Sequence, residues 1–271
     1  MGPKTSIQEL YGDFWAGEGV LDAELQRSLD PRGTEWLFEV FAGLGPKPGE
    51  LVVDVGARDA GHTIRLVREH ALRAIAVDPV PLHVELARQA VADGGLVGDV
   101  DVVQAGIEAL PVADAAADWI WCRDVLVHVD LVRGFAECAR ILRPGGHMLV
   151  YVTCATELLE PRERRELFEP LAIVPESADA NAVEAQATAA GLTLVSKTLL
   201  GGEWRERMIE DGSWSPGDDL LRLSRLHRSQ EALRDRFGSA HVRAYDAARR
   251  WGAYQLLGKL CPTVYVWRRH A

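Results

Sequence analysis

The chain is poor in cysteine, in clustered basic residues and in long apolar runs, and each shortage removes a class of function. Four cysteines occur in 271 residues, Cys122, Cys138, Cys154 and Cys261, with no C-x-x-C pair and no histidine at ligand spacing. A structural zinc site is therefore not expected, nor any other metal. Three of these thiols sit in apolar runs, where free cysteine behaves as a small hydrophobe. Lys and Arg total 30 against 40 Asp and Glu, a net charge of −10. Arginine pairs at 164–165, 249–250 and 268–269 are short and read as solvated faces. Phosphate-bearing partners need clustered cations, so no nucleic acid and no membrane surface is expected as a partner. No apolar stretch approaches the roughly 20 residues of a membrane span. The opening MGPKTSIQELYGDF has neither an apolar signal core nor the Ser and Arg richness of a transit peptide, so a cytoplasmic protein is expected. Repeats and low-complexity tracts are also missing.

What is present begins at Leu51. The run LVVDV ends near Asp54, turns at Gly56 and gives way to a helical pattern from His62. A second run, AIAVDP, carries Asp78 and Pro79, 24 positions beyond Asp54. That spacing is one βαβ unit: strand, tight turn, crossover helix, parallel strand. An acid closing the second strand stands where a nucleoside ribose can offer it two hydroxyls.

The rest of the chain alternates in the same way. Residues 6–43 read as helices, with Trp36, Leu37, Val40, Phe41 and Leu44 at helical spacing. Gly45-Pro46-Lys47-Pro48-Gly49 breaks that pattern before the first strand. Helix LHVELARQAVADG, strands DVVQA and DWIWCR, helix LVRGFAECARIL, turn RPGG and strand HMLVYVT follow. These strands are continuous apolar runs, as in a parallel sheet covered on both faces. After Thr153 come a charged helix, ELLEPRERRELFEP, then NAVEAQATAAG and strand LTLVSKTLL. A helical stretch from Trp204 to Gly258 precedes a last strand, TVYVWRR, and reads as an insertion forming a wall or lid.

The order DVGxxxxG, AVDP, EALPVADAAADWIWCRDVLVHV and RILRPGGHMLVYV resembles the class I S-adenosylmethionine-dependent methyltransferases, nearest the sterol- and ubiquinone-type small-molecule branch. The resemblance is dense over Leu51 to Val152. It implies an α/β fold: a Rossmann-like three-layer sandwich with a seven-stranded, mostly parallel sheet. Residues 1–48 would form an N-terminal helical lid, 49–200 the cofactor-binding core, and 201–271 a helical cap with the last strand.

The resemblance also implies roles. Asp54 and Gly56 would border the methionine part of S-adenosylmethionine, or else form an ordinary strand-to-helix turn. Asp78 would accept both ribose hydroxyls with its two oxygens, or cap the helix after Pro79. Ile107 and Glu108 would lie beside the adenine. Gly106 stands where the family often has an acid.

The glycine turn departs from the family's D-x-G-x-G-x-G, with Arg58 and Ala60 replacing glycines. A side chain in left-handed geometry costs about 1–2 kcal/mol, so an altered loop path is expected, with Asp59 as N-cap. Arg58 would pair with the methionine carboxylate or form a salt bridge to Asp54 or Asp124. His62 would touch the cofactor tail or simply pack. Arg123 and Asp124 would flank the cofactor or the cleft wall.

His128 is the candidate general base, because imidazole has a reference pKa of about 6.5; a scaffold role is the alternative. Glu18, Glu203 and Glu206 are further candidate bases. Tyr11 and Trp15 would cover the cofactor or form an apolar stripe. Trp204, Trp214, Trp251 and Tyr254 would line an apolar acceptor pocket or be core. The implied activity is methyl transfer to oxygen, nitrogen or carbon of a small, apolar metabolite. A cyclase, pericyclase or decarboxylase on the same fold, and a non-catalytic binding module, are the alternatives. The sequence is silent on oligomeric state.

Overall fold

The computed structural model describes residues 6–270, apart from the side chains of Asp13, Phe14 and Ala16. The chain divides into two compact units, one ending at Pro31 and the other running from Arg32 onward.

The first unit holds α1 (Ile7–Glu9), a π-helical turn (Leu10–Phe14) and α2 (Trp15–Leu25). Ser6 opens it with a capping box: its side chain accepts from Glu9 N while the Glu9 carboxylate returns to Ser6 N.

The second unit opens on α3 (Thr34–Gly43) and continues as β1 (Leu51–Val55), α4 (Gly61–His70), β2 (Arg73–Asp78), α5 (Pro81–Asp93) and β3 (Val100–Gln104). β4 (Ala117–Arg123), α6 (Leu131–Ile141) and β5 (Leu142–Ala155) follow. Next are α7 (Pro161–Phe168), α8 (Ala180–Ala189) and β6 (Leu192–Leu199). Four helices, α9 (Glu203–Glu210), α10 (Pro216–Arg228), α11 (Gln230–Phe237) and α12 (Ser239–Leu256), lead into β7 (Leu260–Arg269).

The seven strands form one sheet in the order β3-β2-β1-β4-β5-β7-β6. β3, β2, β1, β4 and β5 run parallel to one another, while β7 runs antiparallel to both β5 and β6. β1 explains why this sheet reads as continuous apolar runs. Val53 and Val55 face a core with α6 and α8, through Phe135, Cys138 and Val183. Val52 faces the opposite core with α3, α4 and α5, through Leu37, Leu66 and Ala87. Both faces are buried, so both alternating sets are apolar.

Helix starts carry their own signals. Asp130 caps α6 by accepting from Val132 N at 2.9 Å and Arg133 N at 3.2 Å, and Asp179 caps α8 in the same way. Prolines occupy the first turns of α5, α7 and α10, where no N–H donor is needed. The RPGG turn lies within β5, where the register against β4 shifts; a Cβ on Gly146 would sit 2.9 Å from the Asp118 carbonyl oxygen.

The order reverses between β1 and β4, which sends the chain to opposite sides of the sheet and opens a crevice at the strands' carboxyl ends. Among the described residues, no helix is long and apolar enough to cross a membrane.

Candidate active site

A cleft of about 710 Å³ occupies that crevice. Its walls include Asp54, Gly56, Arg58, Asp59 and His62 from the first strand-to-helix turn, and Asp78 and Pro79 from the end of β2. Ile107 and Glu108 line it after β3, and Arg123, Asp124 and His128 after β4. The eleven residues expected around the cofactor and the candidate base His128 thus surround one space.

The first turn keeps the left-handed geometry that glycines would have supplied. Gly56 has φ 76°, and Arg58 and Ala60 follow at φ 50° and 58°. The expected altered path is corrected: the side chains stay and the backbone accepts about 1–2 kcal/mol of strain at each. Gly56 also allows a close approach, since a Cβ there would collide with the Val125 methyl groups. Ala60, not Asp59, is the N-cap residue of α4; the Asp59 carboxylate accepts from Gly61 N at 3.3 Å instead. The Arg58 side chain is exposed and forms no salt bridge to Asp54 or Asp124. Its backbone N–H donates to Asp78 Oδ2 at 2.9 Å, so the turn braces the acid of β2.

Asp78 is 6% exposed. Its Oδ1 accepts from Val80 N at 2.9 Å and lies 3.1 Å from His83 Nδ1. These contacts orient the carboxylate and leave further lone pairs facing the cleft. Asp54 is 3% exposed, and burial pushes its carboxyl up to about 7 against the opposing pull of the Thr63 hydroxyl bond and the Arg123 charge. His62 packs edge-on against Phe38 and Trp121 while still lining the cleft. Its pKa falls to about 4 through burial and the neighbouring Arg123 cation, so it is neutral beside Arg123 Nη1 at 3.4 Å.

A second cavity, of about 380 Å³, adjoins the first. Arg123, Asp124 and His128 line both, so they form the common wall. Asp124, at φ 58°, pairs with Arg123 across 3.6 Å. Half of its side chain faces open cavity, yet the surrounding walls still raise its carboxyl above the usual range. His128 Nδ1 lies 3.0 Å from the Ala172 carbonyl oxygen. A carbonyl can only accept, so Nδ1 donates, and in the neutral ring the lone pair is on Nε2.

The far walls come from β5 and the late helices: Tyr151, Trp204, Arg205, Met208, Trp251 and Gln255. Trp204 and Trp251 line the cavity as the sequence suggested. Trp214 and Tyr254 do not: Trp214 Nε1 donates to Asp219 at 2.8 Å, and Tyr254 packs against the core. Tyr151, Arg205 and Gln255 escaped sequence reasoning. Tyr151 reads as one more apolar strand residue, and Arg205 as one arginine among many. Glu203 is committed to Arg32, and neither it nor Glu206 lines the two cavities. Tyr11, Trp15 and Glu18 belong to the first unit.

Comparison with known proteins supplies the frame. Residues 53–150 match a family described as a methyltransferase domain. Over 193 residues the chain is 28% identical to dimethylglycine N-methyltransferase of Parasynechococcus marenigrum, covering 69% of this chain and 68% of that protein. It spans only about half the length of several other curated relatives it matches. A putative sarcosine dimethylglycine methyltransferase from Galdieria sulphuraria has a similar fold, with TM-score 0.65 and 19% identity over 87% of this chain and 84% of that one. The cyclase SpnF shares the fold as well, with TM-score 0.67 and 17% identity over 99% of this chain and 98% of that one. The ordered motifs, the sheet and the matched domain agree: residues 53–150 form a methyltransferase domain, the chain is an S-adenosylmethionine-dependent methyltransferase, and its cofactor is S-adenosylmethionine.

Proposed function

We propose that the protein methylates oxygen, nitrogen or carbon of a small, largely apolar metabolite seated in the second cavity. The observation that carries this reading is the shared wall of Arg123, Asp124 and His128, which places an acceptor-sized space directly against the cofactor cleft. In this reading residues 1–48 act as a lid, 49–200 as the cofactor core and 201–271 as cap and final strand, and the protein works in the cytoplasm.

The residues fit the cofactor. The cleft's volume lies within the range of nucleotide-sized sites, and the Gly56 backbone approaches its neighbours as only glycine permits. The braced Asp78 carboxylate would hold the ribose hydroxyls. Ile107, 2% exposed, would give the adenine an apolar face, with Glu108 beside it. Asp54, the Arg58–His62 turn and Arg123 would surround the methionyl end. Bound there, S-adenosylmethionine supplies an electrophilic methyl group on a sulfonium.

The chain's own residues then have three tasks. Tyr151, Trp204 and Trp251 exclude water from the acceptor cavity. The shared wall fixes the acceptor's approach, and such positioning provides much of the rate in a displacement at an activated carbon. His128, its tautomer set by Ala172, is a base for an acceptor proton at Nε2.

A cyclase, pericyclase or decarboxylase on this fold is the second reading. It drew on the altered glycine turn, and that turn keeps its left-handed geometry, so methyl transfer is preferred. Incubation with methyl-labelled cofactor and a metabolite panel should yield labelled product together with S-adenosylhomocysteine. Conversion of a metabolite without label transfer would establish the second reading instead.

A further inference from the structure

Arg205 gives the second cavity a positive charge with no direct ion pair among the described residues. It projects from α9, and the guanidinium Nε donates to Gln255 Oε1, which is itself tied to β5 through a 3.3 Å bond from Nε2 to Thr153 Oγ1. Arg205 Nη1 reaches the Met208 sulfur at 3.5 Å, and the group lies 4.9 Å from the Trp214 ring centroid. Every one of these partners is neutral. Among the described residues no carboxylate pairs with Arg205, and its Nη2 makes no hydrogen bond.

Asp124 and Asp219 attract Arg205 from a distance, and each makes its close ion pair with other arginines. Asp124 faces Arg123 at 3.6 Å. Asp219 faces Arg249 at 3.1 Å and Arg222 at 3.4 Å. Burial raises the Tyr151 phenol far above its usual value, so it supplies no anion. Burial also lowers the Arg205 pKa, the mark of a desolvated cation, although a guanidinium stays protonated in proteins. A buried charge without a counter-ion is costly, and native structures pair such groups. The opposite walls, with Leu171, Ile173 and Trp251, are apolar.

We infer that the acceptor is a small monocarboxylic acid, whose carboxylate binds Arg205 and whose apolar body lies against Trp204 and Trp251. A single guanidinium without a direct ion pair suits a monoanion, and its planar fork suits a carboxylate. The inference rests on the second cavity being the acceptor site.

Calorimetry on the full chain saturated with S-adenosylhomocysteine tests it, using 4-hydroxybenzoate against 4-hydroxybenzamide, indole-3-acetate against indole-3-acetamide, and phenyl phosphate. At least one acid should bind ten-fold or more tighter than its amide. Arg205→Met should abolish that preference, Arg205→Lys should keep part of it, and both variants should bind S-adenosylhomocysteine within two-fold of the wild type. Equal binding of acids and amides, no binding by either acid, tighter binding of phenyl phosphate, or a preference surviving in Arg205→Met would overturn it. Failure of the wild type to bind S-adenosylhomocysteine would strike the cofactor reading instead.

Discussion

The backbone N–H of Arg58 donates to Oδ2 of Asp78 at 2.9 Å, so the residue that replaces a glycine also steadies the acid expected to hold ribose. The bond comes from the main chain and survives any substitution that keeps the left-handed turn. The Arg58 side chain is separable from it. Arg58→Gly and Arg58→Ala both remove the guanidinium, but only glycine relaxes the φ of 50°. Arg58→Gly should be more stable than Arg58→Ala by about 0.5–1 kcal/mol in urea unfolding. Both should bind S-adenosylhomocysteine several-fold more weakly at low salt. Equal affinity with the wild type would show that the guanidinium does not reach the methionyl carboxylate.

Asp78→Ala removes the proposed ribose acceptor together with the contacts to Val80, His83 and Arg58. The expected loss of S-adenosylhomocysteine affinity is at least ten-fold by calorimetry. Asp78→Asn keeps an oxygen for the loop and should show a similar loss. Unchanged affinity in the two variants would remove Asp78 from the cofactor site.

Asp54 makes stability depend on pH. Its folded pKa of about 7 lies above the unfolded carboxyl value of about 3.9. Between those values the native state keeps a proton that the unfolded chain has released, so stability falls as pH rises across the window. The penalty is complete above pH 7 and is on the order of a few kcal/mol. Asp54→Asn lacks this titration while retaining an acceptor for Thr63. Its Tm relative to wild type should therefore climb from pH 5 to pH 8, and parallel Tm curves would contradict the assignment.

His128→Ala should lower turnover at least ten-fold on any accepted metabolite and leave S-adenosylhomocysteine affinity within two-fold. His128→Gln should recover little, because an amide is no base. Full turnover in either variant would make the Ala172 contact merely structural.

The cofactor half of the site was legible because its determinants are local. Asp54, Gly56, Arg58, Asp59 and His62 fall within nine residues, and Asp78 closes the next strand. The backbone of that turn was not legible. Replacing glycine suggested a path that avoids left-handed geometry, whereas the turn, anchored by Gly56 N and Ala57 N on the Val77 carbonyl, keeps Arg58 and Ala60 in it. The second cavity was hidden for a different reason. Arg205 and Gln255 lie 50 positions apart and meet only because α9 and α12 dock together on β5. Nor does an aromatic residue announce its direction: Trp214 fills the space that Gly252 leaves open, away from the cavity its neighbour Trp204 lines.

The place of β7 between β5 and β6 has a consequence for biosynthesis. The ribosome makes α9 to α12 before the strand that hydrogen-bonds along both β5 and β6. Until residues 260–269 emerge, β5 carries a free edge and the second cavity lacks its anchored far wall. The cleft at the carboxyl ends of β1 to β4 can assemble earlier in translation, whereas the second cavity's walls are anchored only once β7 has been made. A nascent chain stalled before Leu260 should bind cofactor yet discriminate poorly among acceptors, and its open β5 edge is where such a chain would recruit chaperones or aggregate.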